Sequence, residues 1–147
     1  MILGGYGPGF DGTPRRPPVD VTTTMDLAIA PLQITSAAKV PAARRKIRNF
    51  AASVVSADAA DDVELMVSEA MANALIHGLG GALVTVIVTE KALRVEVRDH
   101  GPGFIIAGRV DHGRGLAIIN ALAPRWKSDA DERGTCLWFE VDREVGL

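Results

Sequence analysis

The stretch from Asp58 to His77 limits the possible folds more than any other part of the chain, because its residues read as one long helix. Asp58 and Asp61 supply capping oxygens and favourable negative charge at its start, and Gly78, Gly80 and Gly81 stop it just beyond His77. At about 100° per residue, Val63, Leu65, Met66, Val67, Ala70, Ala74 and Ile76 fall on one broad arc. That arc must be covered by another layer. Glu69 and Asn73 fall within the same arc, one turn apart, so their side chains project together. A carboxylate buried without a cation or hydrogen bonds costs several kcal/mol, roughly. Three arrangements relieve it: an arginine pairs with Glu69, the helix turns to bring the pair to water, or the pair faces a polar ligand.

The covering layer is legible in two β-branched runs, Leu83–Thr89 and Leu93–Asp99, which read as a hairpin about Glu90-Lys91-Ala92. Leu27–Ala30 and Leu32–Ile34 are short strand candidates. A first helix enters near Ser36, with Pro41 in its first turn, and runs to Val54. Leu116–Leu122 is a short helix closed by Pro124. Trp126–Ser128 and Thr135–Val141 are the last strands, joined through the polar turn from Asp129 to Gly134. The order β, α, α, β, β, α, β, β does not alternate strictly, so the expected class is α+β, a two-layer α/β sandwich with a mixed sheet.

The 147 residues suit one domain. Residues 1–24 concentrate glycine and proline with few large apolar side chains and are expected to be a flexible tail, leaving 25–147 as the domain. The tail has no basic start followed by an apolar stretch, and no apolar run is long enough for a transmembrane helix. A single cysteine, Cys136, excludes an internal disulfide and a Cys-rich zinc site, so a reduced, cytoplasmic setting is expected. The net charge of −2 with interspersed signs leaves no footprint for nucleic acid or an anionic membrane.

Local motifs carry the rest. Asp99 ends the hairpin's second strand and is followed by Gly101 and Gly103, a spacing that lets backbone approach a flat ligand while the carboxylate accepts hydrogen bonds. Gly113-Arg114-Gly115-Leu116 stands before a helix, where unpaired N–H groups and the dipole favour an anion such as phosphate. It lacks the third glycine of the dinucleotide fingerprint, and no Gly-Lys-Ser/Thr of a P-loop is present. Gly134-Thr135 opens the final strand with a glycine and a hydroxyl; alone, it would be an ordinary hairpin turn.

Taken in order, Glu69-x-x-x-Asn73, Asp99-x-Gly101-x-Gly103, Gly113-x-Gly115 and Gly134-Thr135 resemble the four ATP-site boxes of the superfamily that includes DNA gyrase, the ninety-kilodalton heat-shock chaperone, sensor histidine kinases and mismatch-repair ATPases. Within it, Val67-Ser68-Glu69-Ala70-Met71-Ala72-Asn73-Ala74, the compact length and Ala42-Ala43-Arg44-Arg45 look like the stand-alone anti-sigma-factor serine/threonine kinases. The resemblance spans Met25 to Val141 and implies the histidine-kinase-like ATPase (Bergerat) fold.

It also implies roles. Asn73 would hold Mg²⁺, and Glu69 would orient or deprotonate the attacking hydroxyl. Asp99 would accept from the adenine amine, with Gly101 and Gly103 close to the base. Gly113, Arg114, Gly115 and Leu116 would meet the phosphates beside a lid from Phe104 to Gly113, and Thr135 would add a polar contact near adenine. The implied protein is an ATP-dependent anti-sigma factor and serine/threonine kinase. It would bind a sigma factor, phosphorylate an anti-sigma antagonist of the sulfate-transporter/antagonist domain type, and form a homodimer. The alternative is an ATP-binding module that sequesters its partner without phosphorylating it. Arg44, Arg45 and Arg48 mark a basic patch for an acidic partner.

Overall fold

The structure, a computed structural model, describes residues 29–77, 80–99, 113–132 and 134–143. The expected tail, residues 1–24, lies outside them. Strand β1 is Leu32–Ile34, followed by a 3-10 turn at Ala37–Lys39 and helices α1 (Val40–Ala51) and α2 (Ala57–His77). Strands β2 (Ala82–Val88) and β3 (Ala92–Asp99), helix α3 (Gly113–Leu122), and strands β4 (Arg125–Asp131) and β5 (Gly134–Asp142) complete it. The class is α+β, with helices on one face of a five-stranded sheet.

Helix α1 takes Pro41 in its first turn, where the missing N–H is no loss, and buries Ala43, Ile47 and Ala51 at four-residue spacing. These pack with Ala60, Val63, Met66, Val67, Ala70, Met71 and Ala74 of α2 in the core. Capping differs from the expectation at Asp58 and Asp61. Ser56 Oγ accepts from Ala59 N–H (3.1 Å), and Asp61 instead accepts from Arg48 Nη2 (2.6 Å). Asp58 stays in the first turn, where its charge suits the helix dipole. Ser56 is in position because the turn from Ala51 to Val55 ends one residue before the helix.

The sheet order is β1-β2-β3-β5-β4, and every ladder is antiparallel. The mixed sheet expected from the sequence is therefore corrected. Strands β3 and β4 do run in the same direction across the α3 connection, but β5 returns between them and pairs with both, so among the described residues no parallel neighbours arise. Two sharp local features fix the edges. Thr89 closes the β2–β3 turn, its Oγ1 accepting from Ala92 N–H (3.1 Å). Gly81, at φ +94°, lies so close to β1 that a Cβ would collide with the Ile34 carbonyl.

Side chains alternate as a pleated sheet requires. Val84, Val86, Val88, Leu93, Val95, Val97, Leu137, Phe139 and Val141 face the helices and fill the core with Ile34, Ile47 and Ile119. At about 25 cal/mol per Å² of apolar surface, each such large side chain contributes roughly 1.5–3 kcal/mol. This packed layer sets the floor on which the candidate site rests.

Candidate functional site

The predicted site residues come from two layers. From the helix layer, α2 contributes Glu69 and Asn73, both half-buried and one turn apart. They do not lie at the centre of the packed arc. Leu65 and Ile76, expected inside it, are 44% and 74% exposed, so the helix is turned and Glu69 and Asn73 sit on the margin between core and solvent. The core takes a narrower stripe of α2 than the apolar arc, from Ala60 to Ala74. Among the described residues no arginine pairs with Glu69; Arg44 and Arg48 pair with Glu64 and Asp61. Among the described residues, neither the Glu69 carboxylate nor the Asn73 amide has a hydrogen bond or ion pair.

From the sheet, Asp99 ends β3 on the helix-facing side and is only 5% exposed. Its partner across the ladder is Thr135, 8% exposed, whose backbone N–H donates to Asp99 Oδ1 (3.3 Å). Gly134, at φ +135°, sets the start of β5 that aims this amide. Thr135 Oγ1 is buried and has no hydrogen-bond partner. Buried hydroxyls rarely go unpaired, since desolvation costs about 1–3 kcal/mol. The hydroxyl is therefore available to a ligand.

Register adds two residues that sequence reasoning missed. Ala82 stands opposite Asp99 on β2, and Ala130 opposite Thr135 on β4. The helix-facing end row of the sheet thus reads Ala82, Asp99, Thr135, Ala130, a carboxylate and a hydroxyl flanked by the smallest side chains that keep strand geometry. A flat ligand meets little steric bulk there. The sequence carried a weak signal, alanine beside a turn at both places, but only long-range pairing brings the four into line.

Helix α3 begins at Gly113, so Gly113, Arg114, Gly115 and Leu116 form its first turn instead of preceding it as expected. Glycine is a poor helix former, but first-turn N–H groups have no intrahelical acceptor in any case. Those N–H groups can meet an anion. Leu116 packs against the core and Ile119 is fully buried, which anchors the turn to the helix layer. Gly101, Gly103 and the lid expected from Phe104 lie outside the described residues.

The donor set fits a purine nucleotide with a divalent ion. Asp99 and Thr135 offer an acceptor and a hydroxyl in a dry end row, and Asn73 offers a hard oxygen of the kind Mg²⁺ takes. Among the described residues no group of three or more His, Cys, Asp or Glu could hold a metal by itself. No helix among them is long and apolar enough to cross a membrane.

No curated protein matches the chain significantly. A family model does match, over residues 35–141, a span that takes in both α2 with its polar pair and the Asp99–Thr135 row. That match covers most of the chain and agrees with a helix layer on one side of an antiparallel sheet, and by it the chain belongs to the histidine kinase-like ATPase domain family.

Proposed function

We propose that the chain is an ATP-dependent anti-sigma factor and serine/threonine protein kinase that phosphorylates an anti-sigma antagonist in a partner-switching pathway. The observation that carries the reading is the half-buried Glu69 carboxylate, without a polar partner among the described residues and one turn from Asn73. At the solvent margin and one turn from Asn73, this carboxylate is placed where an acceptor hydroxyl brought by a partner could reach it.

The residues divide the work. Asp99, held by the Thr135 amide, accepts from the adenine amine, while Thr135 Oγ1 supplies a second polar contact. Gly101 and Gly103 let backbone lie against the base. The first turn of α3, at Gly113, Arg114, Gly115 and Leu116, turns its N–H groups to the phosphates. Asn73 holds Mg²⁺ through its side-chain oxygen. Bound ATP supplies the transferable phosphoryl group and Mg²⁺ the charge neutralisation. Glu69 orients the acceptor hydroxyl and takes its proton.

The partners are a sigma factor and an antagonist of the sulfate-transporter/antagonist type, bound by a homodimer in the cytoplasm. Of the basic patch on α1, Arg44 and Arg48 are engaged with α2, which leaves the exposed Arg45 as the side chain for an acidic partner. Arg45→Glu should weaken partner binding and leave ATP affinity unchanged. The deciding experiment incubates purified protein with ATP, Mg²⁺ and the candidate antagonist. Phosphoserine or phosphothreonine on the antagonist supports the kinase; its absence, with complex formation intact, leaves a sequestering module. Glu69→Gln should keep nucleotide binding and slow transfer by about 10²- to 10⁴-fold.

A further inference from the structure

Strand β4 is an edge of the sheet, and among the described residues it pairs with β5 alone. The opposite edge, β1, is only three residues long and offers little to a further strand. β4 runs for seven residues, Arg125–Asp131, one-to-one against β5, with no proline, glycine or bulge to blunt its outer side. The helices do not overhang it. Trp126, Ser128 and Ala130 share the helix-facing side with Phe139, Leu137 and Thr135, yet Ser128 and Ala130 are exposed. A long bare row of N–H and C=O groups of this kind is a template for another strand.

The residue order says which strand. Outward from Ser128, the basic Arg125 and Lys127 on one side are matched by the acidic Asp131 and Asp129 on the other. Two copies of β4 laid antiparallel about Ser128 therefore set Lys127 against the second copy's Asp129 and Arg125 against its Asp131, each pair occurring twice. On the helix-facing side the large Trp126 stands opposite the small Ala130, and Ser128 opposite itself. Other alignments lose this match. A slip of two residues faces Lys127 with Lys127 or Asp129 with Asp129, and a slip of one leaves no opposite charges face to face within the strand. Parallel strands in register put every charge opposite its own kind.

The side chains suit this arrangement. Lys127 and Asp129 are 37% and 36% exposed and lie 3.7 Å apart within one copy, so two copies would bring four charges of alternating sign together. Arg125 is already engaged by Glu140 and Asp142, which leaves the central lysine and aspartate to carry more of the recognition. The half-buried Trp126 has its indole N–H held by Asn120 Oδ1 (3.0 Å), which fixes the ring that meets Ala130.

We propose that β4 is the contact between two copies of this chain, joined antiparallel about Ser128 so that two five-stranded sheets become one of ten strands, with both helix layers on the same side. This gives the homodimer of the proposed function a surface, and it depends on neither ATP nor phosphotransfer. It also reaches the nucleotide site. Ala130 ends the row of Ala82, Asp99 and Thr135, so the second copy's Trp126 becomes the next residue of that row, two strand spacings or about 10 Å from Thr135.

Sedimentation of the full chain at micromolar concentrations tests the contact. The unaltered chain should be a dimer. Lys127→Asp and Asp129→Lys each put like charges face to face twice and should weaken self-association by at least about tenfold. Mixed one to one, the two variants should recover the dimer, because two acidic side chains in one copy then face two basic ones in the other. Mixing does not repair a misfolded chain, so recovery separates a lost surface from lost stability. The proposal is overturned by a monomeric unaltered chain, by single variants that dimerise as well as the unaltered chain, or by a mixture that stays monomeric. Unaffected single variants would leave the homodimer standing with its contact elsewhere, and none of these results bears on the kinase reading, which the phosphotransfer assay decides.

Discussion

Replacing Thr135 by valine sets stability against binding. The Thr135 hydroxyl is buried beside a buried Asp99 and has no hydrogen-bond partner, while its backbone N–H already holds Asp99. Valine keeps the branched shape and the backbone donor and removes only the orphaned oxygen. An unsatisfied buried hydroxyl costs about 1–3 kcal/mol, so the ligand-free Thr135→Val protein should be more stable by at least about 1 kcal/mol. For an ordered domain of this size that is a rise in Tm of about 3–5 °C. Nucleotide binding should move the other way. Loss of one neutral hydrogen bond, about 0.5–1.5 kcal/mol, weakens affinity by about 2- to 12-fold. Thermal unfolding with and without ATP and Mg²⁺, together with titration calorimetry, measures both. A lower Tm in the free variant would show that the hydroxyl already has a partner, such as a trapped water. Unchanged affinity would show that it does not face the ligand. Either result refutes the reasoning that an orphaned hydroxyl marks the site.

Three other substitutions probe the frame around it. Asp99→Asn keeps an oxygen for the Thr135 amide but puts an N–H where the carboxylate would accept, so ATP binding should fall by at least about tenfold with little change in Tm; unchanged affinity would remove Asp99 from the site. Gly81→Ala should cost at least about 1 kcal/mol in urea unfolding, because alanine at φ +94° is strained and its Cβ meets the Ile34 carbonyl. Glu140→Ala should cost about 3 kcal/mol, since it leaves the buried Arg94 without its closest carboxylate. The same change removes the hydrogen bond that, ahead of Asp142, holds Arg125 protonated beyond its ordinary range.

What the sequence disclosed and what it withheld divide along the range of the interactions. Helix α2 and the β2–β3 hairpin are written locally, in an uninterrupted helical pattern and in two β-branched runs joined by a short turn, and both are found within a residue or two of their expected ends. Asp99 and Thr135 were legible as motif residues. That they face each other, with Ala82 and Ala130 on either side, depends on a register between strands far apart in the chain. The sheet's direction failed for the same reason: nothing local says that β5 returns between β3 and β4. Leu65 and Ile76 misled through their apolarity, since hydropathy on a helix wheel does not reveal where a neighbouring layer ends. Residue type does not separate Ser56 from the aspartates after it, which are equally good capping residues. Along β3, Arg94 and Glu96 alternate with Leu93, Val95 and Val97, yet both are buried, which the alternation alone does not disclose.

The position of β5 has a consequence for how the molecule comes into being. Its neighbours end before it begins, β3 at Asp99 and β4 at Asp131 just ahead of Gly134, and they do not pair with each other. Until β5 arrives, β3 has one bare edge and β4 has no partner at all, and the row that holds Asp99 lacks Thr135. During synthesis the chain therefore carries an open strand edge beside a half-built apolar layer, the condition that invites pairing with the wrong chain. Pairing of β5 completes both the sheet and the Asp99–Thr135 row.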